Sequence, residues 1–293
     1  AATGLALADI NGDTHLDAVV ANNGSNDVSV LLGSGTGSFA APVNFPSGTR
    51  PEGLAVGDFN SDGKPDLLVA NSGAGTVSYL QNATAAMAAT PAFAAAVSIP
   101  VQSSPALVAV GDLNNDERPD FVVSNSGSST VSVRIGDGAG GFMSGASVST
   151  SSAPYGVKLS DVNQDSQLDL IVGYNSGTNV GVYLGTGMAT FGTQVQSAIG
   201  FPAPRAPIVA DMNNDDRVDL IVASSTGASL FINVGSGKGG AFTGATETTW
   251  STGGNPFHAV AEDLNGDGLR DVITTSQVGP PTGAVNVHLG RCR

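Results

Sequence analysis

DFNSDGKPD, at Asp58–Asp66, is the stretch that decides the architecture of this chain, because it is one of six copies of a nine-residue pattern. Each copy has aspartate at its first, fifth and ninth positions and asparagine at its third. The opening aspartates are separated by 49, 54, 49, 50 and 52 residues, and a period near this length indicates a repeat fold. The other copies are DINGDTHLD (Asp9–Asp17), DLNNDERPD (Asp112–Asp120), DVNQDSQLD (Asp161–Asp169), DMNNDDRVD (Asp211–Asp219) and DLNGDGLRD (Asp263–Asp271).

Each copy lies between short apolar stretches that are typical of β-strands. In the second repeat GLAVG precedes the motif, LLVA (67–70) follows it, and VSYL (77–80) comes after a polar turn. A fourth, weaker strand is expected after a phenylalanine that the first five repeats share. These phenylalanines are Phe39, Phe93, Phe142, Phe191 and Phe242.

Four short strands per repeat, without helices, predict an all-β β-propeller. We expect one domain, residues 1–293, of six blades with about four antiparallel strands each. The sixth repeat has no matching phenylalanine or fourth strand, which predicts a three-stranded last blade; a seven-bladed propeller with a missing piece is the alternative. The longest insertion, residues 82–100, is rich in alanine, and we expect a loose excursion at the outer edge.

A proline precedes the opening aspartate by seven residues in five repeats, and at the start of a strand it removes no ladder hydrogen bond. These prolines are Pro51, Pro105, Pro154, Pro204 and Pro256. Their shared position supports the same repeat unit.

The acidity of the chain is concentrated in the motifs. Of the 21 aspartates, 18 are at the first, fifth and ninth positions of the motifs, and one Ca²⁺ per motif would change the formal charge from −14 by +12 to −2. The charge therefore indicates metal binding rather than basic partners. With 11 Lys and Arg in total and no basic run, the chain lacks the electrostatic footprint of a nucleic-acid-binding protein. No apolar run is long enough to span a bilayer, so we expect no membrane insertion.

The motif offers carboxylate and amide oxygens at alternate positions, and these hard donors suit Ca²⁺ better than Zn²⁺ or Cu²⁺. Its start is similar to an EF-hand loop. However, an EF-hand needs glutamate at its twelfth position and helices on both sides, whereas this motif has aspartate at its ninth position and β-type flanks.

On these six motifs the chain resembles the FG-GAP/VCBS-repeat β-propellers, whose relatives include integrin α-subunit heads and certain fungal lectins. The resemblance covers nearly the whole chain. It implies that each motif binds one Ca²⁺, about six in all, in the loop between the innermost and second strands of a blade. The implied ligands are the side chains at positions one, three, five and nine and the carbonyl at position seven: Asp9, Asn11, Asp13, His15 and Asp17; Asp58, Asn60, Asp62, Lys64 and Asp66; Asp112, Asn114, Asp116, Arg118 and Asp120; Asp161, Asn163, Asp165, Gln167 and Asp169; Asp211, Asn213, Asp215, Arg217 and Asp219; Asp263, Asn265, Asp267, Leu269 and Asp271.

A partner is expected on the loops opposite the calcium loops, since propellers bind through loops on a rigid scaffold. Amide, hydroxyl and aromatic side chains there suit a sugar, although tight turns require the same residue types. The candidates are Arg50, Glu52, Tyr155, Tyr174, Asn175, Arg205, Phe257 and His258.

Catalytic motifs are absent from the sequence: it contains no HExxH, GxSxG, P-loop or CxxC. We therefore expect a secreted or cell-surface binding module and not an enzyme. Lectin-like carbohydrate recognition is the first hypothesis, and a protein-interaction or adhesion module from a larger surface protein is the second. A polysaccharide lyase is the third, so the expected partner is a glycan or an extracellular protein.

Overall fold

The computed structural model describes residues 2–198, 202–212, 214–224, 227–232, 242, 246–248, 255–277 and 283–290. They form antiparallel sheets, which confirms the all-β prediction. Contacts divide the chain into two compact units, Ala1–Ser149 and Thr150–Arg293. Among the described residues there is no helix with the length and hydrophobicity that a membrane crossing requires.

The first unit has three sheets. The first sheet pairs, in order, β1 (Ala2–Ala8), β2 (Asp17–Asn22), β3 (Asp27–Leu31) and β4 (Val43–Pro46). The second pairs β5 (Pro51–Gly57), β6 (Asp66–Asn71), β7 (Thr76–Leu80) and β8 (Val97–Pro100). The third pairs β9 (Pro105–Gly111), β10 (Asp120–Asn125) and β11 (Thr130–Gly136), and β11 also pairs β12 (Phe142–Ser144) and β13 (Val148–Ser149).

The second unit also has three sheets among its described residues. The fourth sheet pairs β14 (Pro154–Ser160), β15 (Asp169–Tyr174), β16 (Asn179–Tyr183) and β17 (Val195–Ala198). The fifth pairs β18 (Pro204–Ala210), β19 (Asp219–Ser224), β20 (Gly227–Ile232) and β21 (Thr246–Thr248). The sixth pairs β22 (Asn255–Glu262), β23 (Asp271–Gln277) and β24 (Gly283–His288).

The predicted repeat unit is confirmed in its details. Each inner strand from the second to the fifth sheet begins at one of the shared prolines, and every second strand begins at the ninth aspartate of its motif. Inner strands of successive sheets are in contact within each unit: β1 with β5, β5 with β9, β14 with β18, and β18 with β22. This stacking of consecutive meanders is the arrangement of propeller blades.

The second strands explain the continuous apolar runs of the sequence. β6, β10 and β15 are buried at every residue, because each is central in its sheet and each sheet is covered by neighbours. Between the first two sheets, for example, Val28 and Val30 of one pack with Leu67 and Val69 of the other. A strand covered on both faces shows an unbroken apolar run instead of alternation.

The number of sheets bears on the predicted blade count. The described residues form six sheets; the third has five strands and the sixth has three. The predicted three-stranded last blade stays a prediction, because residues 278–282 and 291–293 lie outside the described residues.

The expectation of a loose alanine-rich insertion is wrong. Asn82 and Thr84 are 1% and 2% exposed, and the segment is held against the first motif. Met87 donates its backbone N–H to the Asn11 carbonyl over 2.7 Å, and the Asn82 amide donates to the Ile10 carbonyl over 2.9 Å. Asparagine supplied the hydrogen bonds that alanine content did not reveal.

Glycine is required where the third strand of the third sheet ends. A Cβ on Gly136 would lie 2.3 Å from the Pro119 carbonyl oxygen, so Gly136→Ala forces the backbone to move. We expect it to lower the free energy of unfolding by roughly 1–3 kcal/mol, measured by urea denaturation. Gly192→Ala is the control, since its nearest neighbour would be 3.6 Å away. Equal midpoints for the two variants would contradict this packing argument.

Candidate functional site

The second motif shows the geometry of the aspartate loops. Asp62 donates its backbone N–H to Oδ1 of both Asp58 and Asn60, each over 3.1 Å. Gly63 N–H donates to Asp58 Oδ2 over 2.8 Å, and Lys64 N–H donates to Asp62 Oδ1 over 3.0 Å. The side chains at positions one, three and five therefore converge on the inside of one turn.

The same bonds from the backbone to the first and fifth aspartates recur in all six loops. Asn213, the third residue of the fifth loop, lies outside the described residues. The fourth and sixth positions have positive φ in every loop, including the β-branched Thr14 at 71°. This left-handed conformation is costly outside glycine, and here it turns successive N–H groups towards the carboxylates.

The ninth aspartate is a buried clamp rather than an open ligand in this structure. Its side chain is inaccessible in all six repeats. In the third repeat Asp120 Oδ2 accepts from Leu113 N–H over 2.9 Å and Oδ1 accepts from Gly136 N–H over 2.8 Å. One carboxylate thus joins the start of the loop, the second strand and the end of the third strand.

These clamp carboxylates titrate abnormally. Burial raises the pKa of Asp219 to about 6, and the neighbouring carboxylates of Asp215 and Asp211 add to the increase. Burial also raises the pKa values of Asp66, Asp120 and Asp169, while backbone N–H donors oppose the increase. The acids of one loop are therefore close enough to repel one another.

The side chains of each loop are of the chemical type that binds a hard cation, but in the described residues their oxygen atoms are not arranged around a common centre. Three carboxylates and one amide oxygen form a calcium-like donor set, and the oxygens at positions one and three already approach the same N–H group. The described part of the chain contains no cluster of three acids or histidines at metal-binding separation, since the carboxylates accept backbone N–H groups instead. The calcium ligands therefore stay a prediction.

Neighbouring loops are linked within the second unit. Gln164, at the fourth position of its motif, donates to the Asp216 carbonyl over 2.9 Å. Asn214, at the equivalent position, donates to the Gly268 carbonyl over 3.4 Å. Each bond joins the fourth position of one loop to the sixth position of the next. The three loops of that unit therefore form a connected surface.

Two of the predicted ligand-binding residues lie together in the first unit. Arg50 is exposed and has a φ of 55° just before β5. Glu52 follows in β5, and its Oε1 accepts from the Asn23 amide over 3.1 Å and from the Ser72 hydroxyl over 3.2 Å. Glu52 therefore links the turn of the first sheet with that of its own sheet.

Two others meet in the second unit, where the Arg205 guanidinium lies 6.0 Å from the centroid of the Tyr155 ring. This distance is within the range of a cation–π contact. Phe257 and His258 are on β22, but their side chains lie outside the described residues.

Tyr174 has no accessible surface for a ligand, as it is 2% exposed. It stands where other sheets have asparagine, for example Asn71, which donates to the Ser78 hydroxyl over 2.9 Å. In the fourth sheet the serine is replaced by Gly181, whose Cβ would lie 2.3 Å from the Tyr174 hydroxyl. The predicted ligand residue thus fills the space that the glycine leaves.

Asn175, the next predicted ligand residue, is half-buried at the end of β15. Its backbone N–H donates to the Ala153 carbonyl over 3.0 Å. The turn following β15 is therefore tied to the segment that leads into β14.

A cleft of about 520 Å³ lies in the first unit, beside the predicted ligand residue Arg50. It is lined by Asn26, Phe45, Pro46, Ser47, Gly48, Thr49, Phe93, Ala94, Ala95 and Ala96. Sequence reasoning placed Phe93 only as a strand marker and did not bring the ten residues together in one site. Their proximity depends on the packing of two repeats, which the spacing of the motifs does not reveal.

The sequence matches a family model described as an FG-GAP-like repeat over residues 9–69, 58–123, 112–172, 161–222 and 211–274. The model thus finds five repeats where we expected six. Each match begins at one motif and ends in the second strand of the next repeat, so five overlapping matches span six motifs. No curated protein sequence is significantly similar to the chain.

Several solved structures have a similar fold. A lectin of Agrocybe aegerita, described as recognising non-reducing terminal N-acetylglucosamine, is 18% identical with a TM-score of 0.62, over 97% of this chain and 79% of the lectin. BBS1N in complex with ARL6DN is 12% identical with a TM-score of 0.62, over 98% and 78%. An inactive virginiamycin B lyase from Staphylococcus aureus is 13% identical with a TM-score of 0.60, over 98% and 83%.

In calcium-free protein, the buried ninth aspartate and the exposed loop aspartates should contribute differently to the free energy of unfolding. Asp120→Ala leaves two backbone N–H groups unpaired at buried positions, at about 1–3 kcal/mol each. Asp116→Ala removes an exposed carboxylate and is expected to cost less than about 1 kcal/mol. Urea denaturation of both calcium-free variants measures the difference, and similar losses would rule out the clamp.

Proposed function

Because the chain belongs to the family of FG-GAP-like repeat proteins, we propose that it is a calcium-stabilised β-propeller module that binds glycans outside the cell. We also propose that residues 1–293 form one propeller domain. The six loops with the same oxygen donors are the observation that carries the calcium part.

Calcium would be held by the side chains at positions one, three and five of each loop, with the ninth aspartate and the seventh carbonyl closing the site. When bound, the cation neutralises carboxylates that otherwise repel one another around a buried aspartate. Its role is structural: an ion that binds only the folded protein stabilises it by mass action.

Glycan recognition is supported by the chemistry of the surface turns. Uncharged amides and hydroxyls surround the connections between the second and third strands, as in residues 22–26. The similar lectin, described as recognising N-acetylglucosamine, makes glycans the ligand class to test first. We propose no catalytic role, since the sequence contains none of the catalytic motifs sought above.

Calcium is expected to raise the melting temperature strongly over that of the chelated protein. A site at a free calcium concentration one hundred times its Kd contributes about 2.7 kcal/mol. Differential scanning calorimetry with calcium and with EDTA measures the shift, and calorimetric titration counts the ions. Magnesium at the same concentration is the control. A melting temperature indifferent to chelator would refute calcium stabilisation.

The glycan hypothesis is tested by a glycan array with calcium-loaded protein. We expect selective binding to one class of sugar, because a fixed set of amides and hydroxyls discriminates between hydroxyl arrangements. Heat-unfolded protein serves as the control for unspecific adhesion. If folded, calcium-loaded protein binds no glycan, the proposal fails, and a protein partner becomes the subject of pull-down experiments.

A further inference from the structure

We propose that the cleft between Phe45 and Phe93 is a binding site for a neutral sugar of one or two residues; this inference rests on the proposed glycan-binding function. The cleft is formed where the outer strand of the first sheet leads to the second sheet, and its other wall is the alanine segment 94–96. We call it the alanine cleft, with the ten lining residues given above.

The walls of the alanine cleft are fixed before any ligand arrives. Ser47 N–H donates to the Asn26 carbonyl over 3.2 Å, and the Ser47 carbonyl accepts from the Ser78 hydroxyl over 2.6 Å. On the other side, Ala94 N–H donates to the Gln81 carbonyl over 2.9 Å. Preformed walls reduce the ordering cost that binding must overcome.

The aromatic part of the cleft is also ordered. The rings of Phe45 and Phe93 pack edge to face, with centroids 5.1 Å apart and an interplanar angle of 66°. Both are half-buried, and both pack against the core between the first two sheets. The cleft therefore combines an apolar surface with a rigid support.

Polar groups lie beside this apolar surface. Ser47 is 9% exposed, and its buried hydroxyl has no hydrogen-bond partner within the described structure. A buried hydroxyl without a partner is costly, so a hydrogen bond from Ser47 to a ligand hydroxyl would stabilise the bound state. The side-chain Oδ1 of Asn26 accepts from Arg50 N–H over 2.8 Å, and this bond orients the Asn26 amide. The exposed Thr49 adds a second hydroxyl to the lining.

The lining selects a neutral ligand with one apolar face. No charged side chain lines the cleft, so neither a cation nor an anion finds an ion pair there. A pyranose has an apolar face of C–H groups and a rim of hydroxyls, which match the rings and the polar groups of the cleft. Its volume is in the range of small-ligand sites.

Corresponding places in the next two repeats are closed by side chains. In the third sheet Gln102 donates to the Ser147 hydroxyl over 3.3 Å, and in the fourth Gln194 donates to the Ser151 hydroxyl over 3.3 Å. In the second sheet the residues aligned with Gln102 and Gln194 are Gly48 and Ala96. In the third and fourth sheets a glutamine side chain bridges the gap at this position. In the second sheet the aligned residues are too small to bridge it, so the cleft stays open.

The test uses full-length, calcium-loaded protein and ligand-observed NMR. The probes are N-acetylglucosamine, methyl α-glucoside, methyl α-mannoside and methyl β-galactoside, with sialic acid as the charged comparison. Two variants change the cleft: Ser47→Ala removes the unpartnered hydroxyl, and Ala95→Trp fills the space from an exposed position. Ser98→Ala and Ala89→Trp are the matched controls, since both residues are exposed and lie outside the lining.

We expect at least one neutral sugar to bind, with about tenfold weaker affinity in Ser47→Ala and no detectable binding in Ala95→Trp. The controls should bind as the original protein does. Ser47→Ala should melt no lower than the original, because the lost hydroxyl makes no bond, and this separates lost binding from lost folding.

Each contrary result has a distinct meaning. Neutral-sugar binding that survives both cleft variants overturns the cleft but leaves the glycan function standing. A preference for sialic acid overturns the neutral-ligand inference. If none of the neutral probes binds, the cleft proposal fails, and the glycan array decides independently whether the proposed function fails with it.

Discussion

The fold depends on one buried carboxylate in each repeat. The ninth aspartate begins the second strand, accepts the N–H that opens the loop and, where its partner is described, accepts a second N–H at the end of the third strand. Removing a carboxylate from water is costly unless it is well bonded. The clamp works because backbone donors satisfy the carboxylate, two of them in the five repeats where both partners are described, and the strands around it exclude solvent.

The clamp also bears on the number of aspartates in each motif. Without a metal, several carboxylates next to a buried one repel each other and destabilise the folded loop. Burial raises the pKa of the clamp Asp219, and the nearby carboxylates of Asp215 and Asp211 raise it further. A divalent cation would relieve that repulsion without changing the strands. In this view the ninth aspartate has two roles, since the backbone holds its carboxylate in place and a cation bound in the loop would neutralise it together with the other carboxylates.

The sequence predicted the repeated elements better than the contacts between repeats. The motif spacing, the prolines and the apolar runs located the strands correctly, because each is a local signal with a fixed position in its repeat. Tyr174 was misjudged because its partner, Gly181, is recognisable only by aligning two strands of one sheet. The insertion and the alanine cleft were missed because they depend on which side chains meet across two sheets.

The exchange of Asn71 and Ser78 for Tyr174 and Gly181 has a consequence for how such chains diverge. A tyrosine placed opposite serine would collide with it, while glycine opposite asparagine would remove a hydrogen-bond partner, so either exchange alone costs stability. Recombination between repeats is therefore constrained to move the second and third strands as one block. The clamp aspartate that opens this block and the glycine that ends it in several repeats travel with it, so gene conversion could reshuffle surface loops while preserving each hairpin intact.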